Sequence, residues 1–115
     1  MILIVDDDEP TQKLLEVLMQ RYGFETDTAA DGAAAIDRLR DGNYACIILD
    51  LMMPSVGGRD VLDFLDKRKR PAKVIVCTAA VPTREEDFDP EYVRAVVRKP
   101  FDIEQLAATV AALVE

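Results

Sequence analysis

The chain has 115 residues, half of them apolar, which suits a single domain over residues 1–115 with one continuous hydrophobic core. The net charge of −8 disfavours direct binding to nucleic acid. The chain has no histidine, so no histidine can act as a base, nucleophile or metal ligand. No apolar run approaches the roughly 20 residues of a membrane span, and no basic region precedes the first apolar run, so neither a membrane segment nor a signal peptide is expected.

The first part of the chain alternates between strand-like and helical patterns. The short apolar run Ile2–Val5 indicates a strand. Apolar residues recur at helical spacing within Pro10–Tyr22, and Gly23 follows as a stop. The mixed run Glu25–Ala29 then has the profile of an edge strand.

The middle of the chain continues this alternation. A second helix is predicted between Asp31, which is an N-cap residue type, and Gly42, which ends it. Ala45–Leu49 is apolar throughout, as a strand covered by helices on both faces must be. Apolar residues over Val61–Leu65 mark a third helix that ends near Pro71.

The last part contains two further strands and one irregular stretch. Val74–Cys77 and Val93–Val97 are apolar runs. Between them, Ala79–Tyr92 carries two prolines and five acids, so the fourth helix there should be short, displaced or loosely held. A final helix is predicted to begin at Asp102, with Gln105 completing a capping box.

Five strands in alternation with helices predict a doubly wound α/β domain with a parallel sheet and right-handed crossovers. The flavodoxin-like strand order 2-1-3-4-5 places the second and least apolar run at an edge. The two cysteines, Cys46 and Cys77, lie in apolar strand-like runs without the spacing of a zinc site or a disulfide framework. We therefore expect buried thiols in a reducing compartment, and a cytoplasmic protein.

Chemically useful side chains follow four of the predicted strands. In order 2-1-3-4-5 the strand order reverses between the first and third strands, which end in Asp6–Asp8 and in Asp50. Such carboxylates repel one another unless a cation lies among them, and Mg²⁺ suits an all-oxygen site. Thr78 ends the fourth strand and Lys99 the fifth, so a hydroxyl and an ammonium join the acids. This set suits a negative, metal-bound phosphoryl group, with Asp8 itself better explained as a helix cap.

The motifs VDD, DLMMPSVGG, VCTA and VRKPF occur in this order along the chain. Their residues and spacings resemble the receiver domain of two-component response regulators over essentially the whole length. The resemblance implies that Asp50 is the phosphoacceptor of a phosphorelay, with Thr78 and Lys99 binding the phosphoryl oxygens. It also implies a Mg²⁺ site in which Asp7 binds the ion directly, Asp6 mainly through water, and Met52 through its backbone carbonyl.

The resemblance also implies a function and partners. Asp50 would receive its phosphoryl group from a histidine kinase or a histidine phosphotransfer protein. Phosphorylation would change a surface that binds a downstream protein or a fused output domain, without direct contact to nucleic acid or membrane. The domain would not be a conventional enzyme, since it would catalyse only its own Mg²⁺-dependent phosphorylation and dephosphorylation.

The sequence departs from the family's usual pattern at Val96 and in the irregular stretch Ala79–Tyr92. Val96 stands three residues before Lys99, where receivers commonly carry an aromatic residue whose ring responds to the threonine. Met52 and Ala80 occupy positions that tune the lifetime of the phosphate, and neither can hold an attacking water through its side chain. The apolar side chains of Met52 and Ala80 therefore predict slow self-dephosphorylation. Val96 and the irregular stretch together predict an altered signalling face.

Two alternative functions fit parts of the same pattern. A haloacid-dehalogenase-like phosphohydrolase places its nucleophile at the end of the first strand; Asp6 and Asp8 match its two acids, but Pro10 does not match the Thr or Val that should follow. A pseudo-receiver would keep the fold and signal without phosphate. Val96 and the irregular region of the fourth helix mildly favour that alternative, whereas the complete set of acids, threonine and lysine argues against it.

Overall fold

The computed structural model describes residues 1–51, 57–68, 72–78, 88–99 and 102–114. These residues form one parallel sheet in the order β2-β1-β3-β4-β5, which confirms the predicted fold class and strand order. The strands are β1 (Ile2–Val5), β2 (Thr26–Ala29), β3 (Cys46–Leu49), β4 (Val74–Thr78) and β5 (Val93–Arg98). The helices among the described residues are α1 (Glu9–Arg21), α2 (Gly32–Asp41), α3 (Gly58–Arg68) and α4 (Ile103–Val114).

The predicted helix starts are confirmed by their caps. Asp8, Asp31 and Asp102 each accept a hydrogen bond from the backbone N–H three residues on, at 3.1, 2.8 and 3.2 Å. These bonds satisfy backbone donors that the first turn of a helix leaves without a partner. At the other end of α2, the N–H of Gly42 donates to the carbonyl of Arg38 at 2.9 Å and the helix stops. Within the described part of the chain, no helix is long and apolar enough to cross a membrane.

Successive strand residues point to opposite faces of the sheet, so helices on both sides bury two apolar layers. The face covered by α2 and α3 receives the strand residues Leu3, Val5, Ile47, Leu49, Val74 and Val76. The face covered by α1 and α4 receives the strand residues Ile2, Ile4, Cys46, Ile48, Ile75 and Cys77. Both cysteines are free and buried, as expected, and burial raises the pKa of each thiol to about 12. They are therefore inert thiols of the core.

The irregular stretch before β5 is only partly described. The short fourth helix was expected within Ala79–Tyr92, of which residues 79–87 lie outside the described residues. From Phe88 onward the backbone makes a turn in which the N–H groups of Tyr92 and Val93 both donate to the carbonyl of Asp89, at 3.1 and 2.9 Å. This turn delivers the chain into β5, which ends one residue before Lys99.

Candidate functional site

The carboxyl ends of β1 and β3 bring Asp6 and Asp50 together. The parallel register pairs Val5 with Leu49, so the next residue on each strand is an acid at the same edge of the sheet. The N–H of Asp50 donates to the carbonyl of Val5 at 2.9 Å, which extends the pairing into the site. Only 2% of Asp6 and 4% of Asp50 is exposed. Strand order thus places two nearly buried carboxylates side by side, where ligands of such sheets bind.

Asp7 completes a group of three carboxylates. One oxygen from each of Asp6, Asp7 and Asp50 lies within 4.8 Å of the others, and Asp7 is exposed while its two neighbours are buried. Hard carboxylate oxygens with one side open to water are the donor set that Mg²⁺ prefers, because this ion usually keeps part of its hydration shell. The acids therefore fit a Mg²⁺ site.

Lys99 places a positive charge among these acids. Its Nζ lies 2.8 Å from Oδ2 of Asp6 and 3.3 Å from Oδ2 of Asp50, and 21% of its side chain is exposed. Burial lowers the pKa of Lys99, but the hydrogen bond to Asp6 and the negative charges of both acids outweigh burial and leave the pKa raised. The ammonium therefore stays charged and partly neutralises the two buried carboxylates.

The backbone around Asp6 fixes the direction of its carboxylate. The N–H of Asp8 donates to Oδ1 of Asp6 at 2.9 Å, while Oδ2 accepts from Lys99. Each oxygen of Asp6 thus has a donor, and one of these donors belongs to the residue that caps α1. The start of the helix and the orientation of the acid are set together.

The two remaining predicted site residues are described only in part or not at all. Thr78 is the last residue of β4 and pairs with Arg98 of β5, which puts the carboxyl end of β4 next to Lys99. The side chain of Thr78 and the whole of Met52 lie outside the described part of the chain. Their predicted roles stay predictions.

Two residues that contribute to the site were not predicted from the sequence. Gly58, the last residue of the DLMMPSVGG motif, begins α3 directly against the end of β3. A Cβ added to it would lie 2.6 Å from the carbonyl oxygen of Asp50 and 2.8 Å from Cα of Leu51. Gln12 in α1 donates through Nε2 to the backbone carbonyl of Asp6 at 3.1 Å. A glycine next to a turn and a glutamine in a helix carry no pattern that signals such contacts.

Comparison with known proteins gives the family of this arrangement. A family model described as the response regulator receiver domain matches residues 2–111. The chain is 34% identical over 113 residues to the transcriptional regulatory protein SrrA of Staphylococcus aureus. That alignment covers 97% of the chain and 46% of SrrA, so the chain spans less than half the length of this relative.

Solved structures show the same fold. The receiver domain of the Francisella response regulator 1452 is similar with a TM-score of 0.88 and 28% identity, covering 98% of this chain and 94% of that one. The response regulator TrrA of Thermotoga maritima, in complex with Mg²⁺–BeF, is similar with a TM-score of 0.86 and 36% identity. This second likeness covers 97% of the chain and 96% of TrrA.

Proposed function

Because this chain belongs to the response regulator receiver domain family, we propose that it is a two-component signalling switch whose phosphoacceptor is Asp50. The observation that carries the proposal is the contact between a nearly buried carboxylate and an ammonium, with Nζ of Lys99 lying 3.3 Å from Oδ2 of Asp50. This contact lies beside Asp6 and Asp7, so a nucleophile, a metal site and a fixed cation share one edge of the sheet.

The proposed reaction is attack by Asp50 on a phosphohistidine. One carboxylate oxygen of Asp50 forms a bond to phosphorus as the bond from phosphorus to the histidine nitrogen breaks, which leaves an acyl phosphate and a free histidine. Burial of Asp50 removes water that would compete with the incoming group, and the β1–β3 pairing holds its backbone for in-line approach. Mg²⁺ held by the acids would neutralise charge on the phosphoryl oxygens. TrrA was solved with Mg²⁺–BeF, which supports this choice of ion.

Lys99 has two anionic partners in this proposal. Before transfer it partly neutralises Asp6 and Asp50. After transfer Asp50 carries its negative charge on phosphoryl oxygens, and the ammonium binds one of these oxygens instead. Thr78, at the end of the neighbouring strand, is proposed to donate its hydroxyl to another, which would couple β4 to the modified acid.

The proposed partners follow from the family and from the relative's name. A histidine kinase or histidine phosphotransfer protein would supply the phosphoryl group. The chain spans 46% of a transcriptional regulatory protein, which supports a fused output domain or a separate downstream protein as the receiver of the signal. The domain would turn over no external substrate, and we propose a cytoplasmic location with no direct contact to nucleic acid or membrane.

The output step is proposed to differ from that of receivers with an aromatic switch. Val96 is half-buried in β5 and packs against the apolar layer under α2 and α3. A β-branched side chain has few rotamers and no ring to move between a buried and an exposed position. The surface that changes on phosphorylation would therefore be set by the backbone near Thr78 rather than by the side chain of Val96.

Acetyl phosphate tests the proposal without a partner protein. The purified chain is incubated with acetyl phosphate in Mg²⁺ or in excess EDTA, and its intact mass is measured. The proposal predicts one phosphoryl group per chain in Mg²⁺ and a strongly reduced yield in EDTA. No adduct in saturating Mg²⁺ would contradict it and would favour the pseudo-receiver alternative.

A further inference from the structure

Gln12 links the ends of two strands from the first turns of α1. Its half-buried side chain donates from Nε2 to the backbone carbonyl of Asp6 at 3.1 Å and to that of Ala29 at 3.2 Å. The amide nitrogen carries two hydrogens, so both bonds can form at once. Gln12 therefore bridges the carboxyl ends of β1 and β2.

These bonds close a small ring around Asp6. The N–H of Asp6 donates to the same carbonyl of Ala29 at 3.1 Å. The N–H of Asp6 therefore bonds to Ala29, and the carbonyl of Asp6 bonds to Gln12, which bonds to the same carbonyl of Ala29. The carbonyl of Asp6 and the N–H of Asp7 belong to one planar peptide unit, so a bond that fixes the carbonyl also fixes how the backbone enters Asp7.

The backbone that carries the Gln12 side chain is also held in place. The N–H of Gln12 donates to the carbonyl of Asp8 at 2.9 Å, within the first turn of α1. Asp8 caps that helix and donates its own N–H to Oδ1 of Asp6. Gln12 thus acts from a helix whose start is already tied to the carboxylate.

We propose that Gln12 is a positioning residue for the metal site. It holds the peptide between Asp6 and Asp7 so that the carboxylates of the site converge. The inference rests on the proposed Mg²⁺ site, and it assigns to Gln12 no contact with the ion. Groups that orient metal ligands commonly change metal affinity by 10- to 100-fold when they are removed.

Substitution Gln12→Met tests the proposal because methionine has nearly the same length and no donor. The matched control is Gln20→Met on the same helix, where Nε2 donates to Oγ1 of Thr26 at 3.2 Å, away from the acids. The Mg²⁺ dissociation constant is measured by calorimetry well below each protein's unfolding midpoint. We expect about a tenfold increase for Gln12→Met and less than about a twofold change for Gln20→Met.

Phosphorylation by acetyl phosphate gives a second readout. For Gln12→Met, the Mg²⁺ concentration at half-maximal rate should rise by the same factor, while the rate at saturating Mg²⁺ stays within about twofold of the wild type. A generally damaged fold would lower the saturated rate instead. Gln12→Ala, which lets water reach both carbonyls, is the second variant should methionine impair folding.

The outcomes separate this inference from the proposed function. Wild-type affinity for Mg²⁺ in both Gln12 variants would overturn the positioning role, and so would an equal loss in Gln20→Met. Failure of the proposed function is seen in the wild type alone, as no adduct in saturating Mg²⁺. A wild type that is phosphorylated alongside Gln12 variants of unchanged affinity would reject only the role of Gln12.

Discussion

The ammonium nitrogen of Lys99 lies 2.8 Å from Oδ2 of Asp6, an acid of which only 2% is exposed. The same nitrogen lies 3.3 Å from Oδ2 of Asp50. A lysine from the end of β5 thus partly neutralises the two buried acids at the carboxyl ends of β1 and β3. Any Mg²⁺ ion that binds Asp6 and Asp50 does so next to this fixed positive charge, which opposes it.

Replacing Lys99 with methionine should therefore strengthen Mg²⁺ binding while it weakens the metal-free fold. We expect the Mg²⁺ dissociation constant to fall by roughly five- to tenfold. The free energy of unfolding in EDTA should fall by about 2 kcal/mol, because two buried carboxylates lose their counter-charge. Calorimetry with Mg²⁺ and urea unfolding in EDTA measure the two effects.

Lys13→Met is the matched control, since it makes the same change in net charge at an exposed lysine of α1 whose ion-pair partner is Glu16 at 3.6 Å. Surface pairs of this kind contribute little. A Lys99→Met protein that binds Mg²⁺ no more tightly than Lys13→Met would show that the ammonium does not oppose the ion.

Gly58→Ala should displace the backbone at the end of β3, where Asp50 lies. The added methyl group would lie 2.6 Å from the carbonyl oxygen of Asp50 and 2.8 Å from Cα of Leu51, and neither atom can turn away as a side chain would. We expect a loss of about 1–3 kcal/mol in the free energy of unfolding, together with slower phosphorylation at saturating Mg²⁺.

Gly42→Ala is the control for Gly58→Ala. Its added methyl group would lie 3.1 Å from the ring of Tyr44 and 3.2 Å from the carbonyl oxygen of Arg38, and Gly42 precedes β3, whereas Asp50 follows it. Phosphorylation by this variant should match the wild type. Equal rates in the wild type and in Gly58→Ala would mean that the close approach of α3 does not shape the acceptor.

The periodic pattern of the sequence was sufficient for the fold. Sequence patterns predicted every strand to within one residue at each end. Four strands were marked by apolar runs, as expected of strands covered on both faces, and the mixed run Glu25–Ala29 was predicted as an edge strand. The caps Asp8, Asp31 and Asp102 were also predicted, since a short acid before a helical pattern has one strongly preferred role. The meeting of Asp6 with Asp50 followed from strand order.

The details of the site could not be predicted in the same way. The sequence indicated Lys99 as a ligand for an anion, but the reach of a long side chain toward Asp6 depends on the final packing of β5. The hydrogen bond from Gln12 ends on a backbone carbonyl, which every residue has, so no residue type in the sequence indicates it. The need for glycine at position 58 comes from the distance between α3 and the end of β3, which only the folded chain defines.

Tyr44 should make stability depend on pH in the alkaline range. Its hydroxyl donates to Oδ2 of Asp27 at 2.9 Å. Burial, which is the largest cause, together with this hydrogen bond and the charge of Asp27, raises the pKa of Tyr44 to about 12. The unfolded chain has a tyrosine pKa near 10. The folded state therefore favours the protonated phenol, and this stabilisation is complete below pH of about 10 and is lost as pH rises toward 12.

Tyr44→Phe reveals this dependence by difference. The gap in free energy of unfolding between the wild type and Tyr44→Phe should be constant from pH 7 to 9 and should shrink as pH approaches 12. Urea unfolding across this range measures it, with Tyr22→Phe at an exposed tyrosine as the control. A gap that widens with pH would contradict the direction of the pKa shift.

The phosphorylated chain should lose its phosphate slowly. Met52 and Ala80 have apolar side chains at the two positions that tune this rate in the family, so neither supplies a group to hold the attacking water. We expect a half-life of minutes or longer after removal of acetyl phosphate, and a shorter one in Met52→Asn. Intact mass followed over time measures both, and a wild-type half-life of seconds would contradict the prediction.

The central claim is that Asp50 accepts the phosphoryl group, and a single comparison tests it most directly. The Asp50→Asn substitution keeps the shape of the side chain and removes its nucleophilic oxygen. Wild type and Asp50→Asn are incubated with acetyl phosphate and Mg²⁺, and the intact mass of each protein is then measured. We predict one phosphoryl group on the wild type and none on Asp50→Asn. A phosphate adduct of equal yield on both proteins would contradict the assignment.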